Sequence, residues 1–136
     1  MQVTVYGSPS LSTRKAKEWL KNNGIAFVER DIKRHPITAE ELQNILRLTE
    51  SGTDEIIATR SKIYKDLNVD FDALSLGELL QLFQKYPGLL RNPIIIDDKR
   101  IQIGYNGDDI RQFLPRKTRK HQWIKWQMDN LLMADS

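Results

Sequence analysis

The sequence predicts an α/β domain built on a four-stranded mixed sheet, with helices packed on it and a helical insertion between its two halves. Three observations carry that reading. Strand, helix and strand patterns follow one another within about 30 residues, the spacing of a right-handed βαβ unit with parallel strands. The segment from about 37 to 90 repeats apolar residues at helical spacing and opens two helices with capping-box patterns. A short apolar hairpin and a further helix then fill about 91–116, and a basic helix is expected over about 117–136.

Each element has a local reason. Residues 2–6 alternate as a short strand, and Gly7, Ser8 and Pro9 break it. Ser10 or Ser12 can cap the helix that follows, where Ala16, Trp19 and Leu20 recur at helical spacing. Gly24 ends that helix as a C′ glycine, and residues 25–31 read as the second strand. Thr38 with Glu41 opens a helix whose face carries Leu42, Ile45 and Leu46. Ser75 with Glu78 repeats the device ahead of Leu79, Leu80, Leu82 and Phe83. One or two short helices fit between them, at about 54–67. Pro93 leads the apolar run Ile94, Ile95 and Ile96, taking the first position of its strand because proline cannot donate to a ladder. Asp97, Asp98 and Lys99 turn the chain back into a partner strand at 100–103. Asn106 or Gly107 starts a helix that ends before Pro115. A β-α-β half, an inserted helical segment and a β-β-α half make this architecture thioredoxin-like.

Composition narrows the chemistry. The 136 residues contain no cysteine, so disulfides and thiolate metal sites are excluded. Reactive members of the thioredoxin-like superfold use a thiolate in the first strand-to-helix loop, and that chemistry is closed to this chain. The two histidines, His35 and His121, stand far apart in sequence, which argues against a histidine metal site. No apolar run reaches the roughly 18 residues of a membrane span, and MQVTVYGSPS lacks the basic and apolar regions of a secretion signal. A soluble cytoplasmic protein is expected. Its formal net charge is +3, yet Arg111, Arg116, Lys117, Arg119, Lys120 and Lys125 form a tract without an acid. Such asymmetry suits an anionic partner, and it equally suits a solvated helix face.

Five segments carry a resemblance: VYGSPS with RKAKEWL, FVERDI, ILRLTESGTDEIIATRSK, KYPGLLRNPIIIDDKRIQIGYN, and IRQFLPRK. Together, from about Val3 to Arg119, they resemble the Spx regulators, the transcriptional branch of the arsenate-reductase-like family. The resemblance implies a non-enzymatic regulator, without cofactor, that binds the C-terminal domain of the RNA polymerase α subunit and meets promoter DNA only within the polymerase complex. An ATP-dependent protease with its adaptor is a further implied partner. The α-subunit contact falls on Tyr6, by the N-terminal loop, and on Gly52. The promoter-proximal contact falls on a basic helix holding Arg60 and Lys62. Physically, a glycine in the GTDE turn lets a partner backbone approach closely. Gly52 would also serve as the C′ cap of the preceding helix. Arg60 and Lys62, two apart, spread charge over a wide arc that suits phosphate rather than base edges. They could instead pair with Asp54 or Glu55.

Two departures matter. Family members with a redox switch carry Pro-x-Cys-x-x-Cys-Arg-Lys, whereas Pro9 here precedes Ser10, Leu11, Ser12, Thr13, Arg14 and Lys15. The stretch is one residue short where the first cysteine would stand, and Thr13 takes the second cysteine's place. The family commonly has two arginines before the proline at 93, and here the pair is Arg91 and Asn92. The second arginine is thought to face the redox loop, so its loss fits a loop with no thiolate to stabilise. Arg91 remains a candidate anion site. Ser10, Ser12 and Thr13 lack a histidine near in sequence to act as base, and helix capping explains their hydroxyls. The alternatives are an arsenate-reductase-like or glutaredoxin-like oxidoreductase, disabled without cysteine, and independent DNA binding through the 116–125 helix, whose Trp123 and Trp126 are expected to pack on the domain.

Overall fold

A computed structural model describes residues 2–114 and Met128. The chain runs β1 (Val3–Gly7), α1 (Leu11–Asn22), β2 (Phe27–Asp31), α2 (Ala39–Leu48), α3 (Lys62–Leu67), α4 (Leu76–Lys85), β3 (Ile94–Ile96) and β4 (Ile101–Ile103). The sheet order is β2-β1-β3-β4. β1 pairs in parallel with β2 (Val5 opposite Glu29) and antiparallel with β3 (Val5 opposite Ile95), and β3 and β4 form the antiparallel hairpin. This is the mixed, thioredoxin-like sheet that the sequence predicts.

Side-chain alternation sorts the central strands into two cores. Val3, Val5 and Ile95 face α1, where Ala16 and Leu20 are buried, together with Ile110 and Phe113. Tyr6, Ile94 and Ile96 face the other way, onto Leu42, Ile45, Leu79 and Phe83 of α2 and α4. Full burial of such side chains stabilises by about 1.5–3 kcal/mol each. The first layer holds α1 to the sheet, and the second holds the helical segment to its opposite face.

The ends of α1 and α2 are fixed as local chemistry requires. Ser10, rather than Ser12, caps α1, its Oγ accepting from the Thr13 N–H at 3.2 Å. Gly24, at φ 67°, closes it: the Gly24 N–H donates to Lys21 O and the Ile25 N–H to Leu20 O, the paired bonds of a Schellman ending. That commitment of the Ile25 amide starts β2 at Phe27, two residues later than predicted. Both predicted capping boxes form, Thr38 with Glu41 and Ser75 with Glu78.

Elsewhere the elements differ from expectation. Of the one or two short helices expected at 54–67, two short pieces form, with bounds that differ from those expected. A 3₁₀ turn (Gly52–Glu55) leads into an isolated bridge between Ile57 and Leu90, and α3 starts only at Lys62, capped by Ser61. The helix expected from Asn106 or Gly107 is a 3₁₀ turn (Asp109–Phe113), because the Asn106 side chain accepts from the Asp108 and Asp109 N–H groups and delays the first turn. Pro93 sits just ahead of β3 on a cis peptide bond from Asn92, and its carbonyl still accepts from the Gly104 N–H at 2.8 Å.

Candidate functional site

The loop between β1 and α1 carries the residues that replace a thiol motif. Leu11 and Ser12 are exposed at the first turn of α1, while Thr13 turns inward and is 4% exposed. The Ser10 hydroxyl lies 2.9 Å from Thr13 Oγ1, and both hydroxyls lie 3.3 Å from Asn92 Oδ1. Asn92 thus faces this loop, the place that the resemblance gave to an arginine. The two hydroxyls bond to each other and to the Asn92 amide oxygen, and Ser10 Oγ also accepts from the Thr13 N–H. None of these can take a proton, so neither hydroxyl is activated as a nucleophile. Among the described residues there is also no cluster of three His, Asp or Glu side chains able to hold a metal ion.

Asn92 continues into a second set of contacts. The Arg91 N–H donates to Ile56 O at 2.8 Å, and its guanidinium donates to Glu55 O at 3.2 Å. Arg91, the candidate anion residue, is therefore partly engaged with the backbone of the 52–55 turn. It lines an open groove of about 540 Å³ shared with Asp54, Arg60, Ser61 and Asn92.

Gly52 opens the 3₁₀ turn at φ 78° with open space where a Cβ would stand. It is not the C′ cap of α2. Thr49 ends that helix, its Oγ1 donating to Leu46 O at 2.7 Å, and Gly52 follows three residues later. The left-handed backbone alone thus calls for glycine there. Glu55 accepts from the Ser51 N–H at 2.8 Å and tightens the same turn.

Arg60 and Lys62 do not share a helix, contrary to expectation. Ser61 ends the turn before α3 by donating to Ala58 O and accepts from the Tyr64 N–H, so Arg60 lies ahead of the helix and Lys62 is its first residue. Both are exposed, and among the described residues neither forms an ion pair with Asp54, Glu55 or any other acid. Both charges are free of acidic partners, and Arg60 lines the groove.

Tyr6 occupies a different place from the docking surface expected of it. It is 5% exposed and packs in the core against the helical segment. Burial, and then the neighbouring Glu41 carboxylate, which accepts from the phenol, push its pKa up to about 12. Glu41 in turn receives a bidentate pair from Arg30, at 2.6 and 2.7 Å, which holds its carboxyl below the usual carboxylate range. Arg30 also donates to the carbonyls of His35 and Pro36. This Tyr6–Glu41–Arg30 clamp ties β1 and β2 to the start of α2. The sequence did not announce it: Glu41 is legible only as a capping residue, and its partners come from the sheet edge. The tract Arg116, Lys117, Arg119, Lys120 and Lys125, with Trp123 and Trp126, lies outside the described residues.

Residues 6–113 match the family model described as ArsC. The chain is 57% identical over 129 residues to a protein of Oceanobacillus iheyensis named global transcriptional regulator Spx 2, covering 95% of this chain and 96% of that protein. It is 55% identical over 121 residues to the global transcriptional regulator Spx of Bacillus subtilis, covering 88% and 92%. Among solved structures, the arsenate reductase of Vibrio cholerae is 25% identical with a TM-score of 0.66, covering 84% of this chain and 96% of that one. SACOL0876 of Staphylococcus aureus superposes with a TM-score of 0.70 at 22% identity, covering 83% and 99%. Fold and loop together define an arsenate-reductase-like protein whose reactive position holds hydroxyls in place of sulfur. With its relatives in view, the chain belongs to the ArsC family, in the Spx branch of transcriptional regulators.

Proposed function

We propose that this protein is a non-enzymatic transcription regulator that docks on the C-terminal domain of the RNA polymerase α subunit, acts in stress response and works in the cytoplasm. One observation carries the reading: identity of 55–57% to global transcriptional regulators persists on a scaffold with no cysteine and no activated nucleophile. Among the described residues no helix is long and apolar enough to cross a membrane. The docking edge is the exposed loop at 8–12 together with the Gly52 turn. Tyr6 contributes from beneath by holding α2, not by touching the partner. The unpaired cations Arg60 and Lys62 approach promoter phosphates once polymerase is in place, with the 116–120 basic tract as a further contact. Turnover by an ATP-dependent protease and its adaptor completes the reading.

The decisive measurement is a titration of the protein against purified α C-terminal domain, run in oxidising and in reducing buffer. Equal affinity is expected in both, since no thiol is present to respond. No binding in either buffer overturns the proposal, and thiol-coupled arsenate reduction above a heat-killed control would replace it with the enzymatic alternative. Gel shifts with and without polymerase address independent DNA binding: retardation is expected only when polymerase is present.

A further inference from the structure

We infer that Ser10, Thr13 and Asn92 form a hydroxyl–amide latch that makes the loop at 8–13 and the turn at 52–55 one mechanical unit, with Asn92 as its positioning residue. Hydrogen counting gives the relay its direction. The Thr13 N–H donates to Ser10 Oγ at 3.2 Å, the Ser10 hydroxyl donates to Thr13 Oγ1 at 2.9 Å, and the Thr13 hydroxyl is left to donate to Asn92 Oδ1 at 3.3 Å. Each hydroxyl thereby gives its single hydrogen and receives one. Thr13 is 4% exposed and packs beside Gly7, where an added Cβ would come within 2.8 Å of its Oγ1, so its side chain has little room to turn away from the acceptor.

From Asn92 the connection runs on through the backbone. Arg91 donates its N–H to Ile56 O and its guanidinium to Glu55 O, and the Ile56 N–H closes on Thr53 O at 3.1 Å inside the Gly52 turn. The Ala58 N–H donates to Leu89 O at 2.7 Å and secures the same strip. The terminal link must accept a hydrogen. An arginine at position 92 has five donors and no acceptor, so the relay in its present direction could not end on it. Hydroxyls at 10 and 13 and an acceptor at 92 therefore match one another in this direction. The latch holds the loop shut by bonds that oxidation does not alter.

The functional meaning of the latch rests on the docking reading above, because its two ends are the two docking elements. The test separates them. Amide hydrogen exchange by mass spectrometry is followed in wild type, Thr13→Val (the shape kept, the hydroxyl lost), Asn92→Arg (the acceptor lost) and Asn92→Asp (the acceptor kept). Thr13→Val and Asn92→Arg are expected to raise exchange roughly ten-fold at residues 51–58 as well as at 8–14, while β1 and β3 keep their protection and Asn92→Asp stays close to wild type. Loosening confined to 8–14, or a uniform rise across the sheet, overturns the latch. If Thr13→Val does not fold, Asn92→Arg against Asn92→Asp decides the question alone. Titration of the same variants with the α C-terminal domain is read separately. Wild type that fails to bind sinks the docking reading and leaves the exchange result to judge the latch.

Discussion

Tyr6, Glu41 and Arg30 show how one half-buried polar cluster couples proton equilibria to stability. A phenol whose folded pKa is raised to about 12 binds its proton more tightly in the native state than in the unfolded chain. Its contribution is therefore complete below about pH 10, the ordinary tyrosine value, and is lost as pH rises through about 12. Glu41 runs the other way: its folded pKa is depressed by Arg30, so its contribution is present above the unfolded carboxylate value of about 4.3 and lost as pH falls through the lower folded value. Removing the phenol oxygen in Tyr6→Phe should cost about 1 kcal/mol at neutral pH. Urea melts of both proteins between pH 8 and 12 should show that margin shrinking with alkalinity, and a constant gap would contradict the assignment. Glycine 52 belongs to the same scale. At φ 78° an alanine costs about 1 kcal/mol in backbone strain but meets no atom. Gly52→Ala is thus the control for Gly52→Arg: both should melt alike, and only the arginine should abolish binding to the α C-terminal domain, as calorimetric titration can check.

The helices divide into those whose ends are written locally and those set by distant strands. Thr38 with Glu41 and Ser75 with Glu78 satisfy amides three residues away, so their capping boxes are legible in six or seven letters. Ser75→Ala should cost about 1 kcal/mol, read by thermal melting, and a neutral result would mean that α4 does not rely on its cap. Residues 54–61 resist such reading. Their order comes from the Ile57–Leu90 bridge and from the Ala58–Leu89 and Arg91–Ile56 bonds, which no nearby pattern encodes. The resemblance implies one basic helix across Arg60 and Lys62, whereas Ser61 stands between them with the hydroxyl that starts α3. At the loop, the loss of the arginine at 92 could be read from sequence, but the role of Asn92 as shared acceptor could not. That role depends on the fold bringing together positions about eighty residues apart.

Across the whole molecule, charge and docking fall to different residues of neighbouring segments. Arg60 lines the groove that Asp54 of the Gly52 turn also lines, Lys62 stands two residues further on at the start of α3, and among the described residues neither cation has an acidic partner. Lys62→Glu should accordingly leave α-subunit affinity unchanged and weaken promoter engagement with a shallower salt dependence, as salt titrations of the assembled complex can show. Loss of α-subunit binding in that variant would merge the two surfaces into one. The order β2-β1-β3-β4 has a consequence for biosynthesis as well. Because Tyr6 must find Ile94 to complete the ladder, a ribosome-bound chain can fold its opening βαβ half early but cannot seal it until the isoleucine run has left the exit tunnel. Throughout that interval Val5 and its neighbours lack their third strand, and chaperone capture of stalled nascent chains should fall sharply once truncations extend past that run.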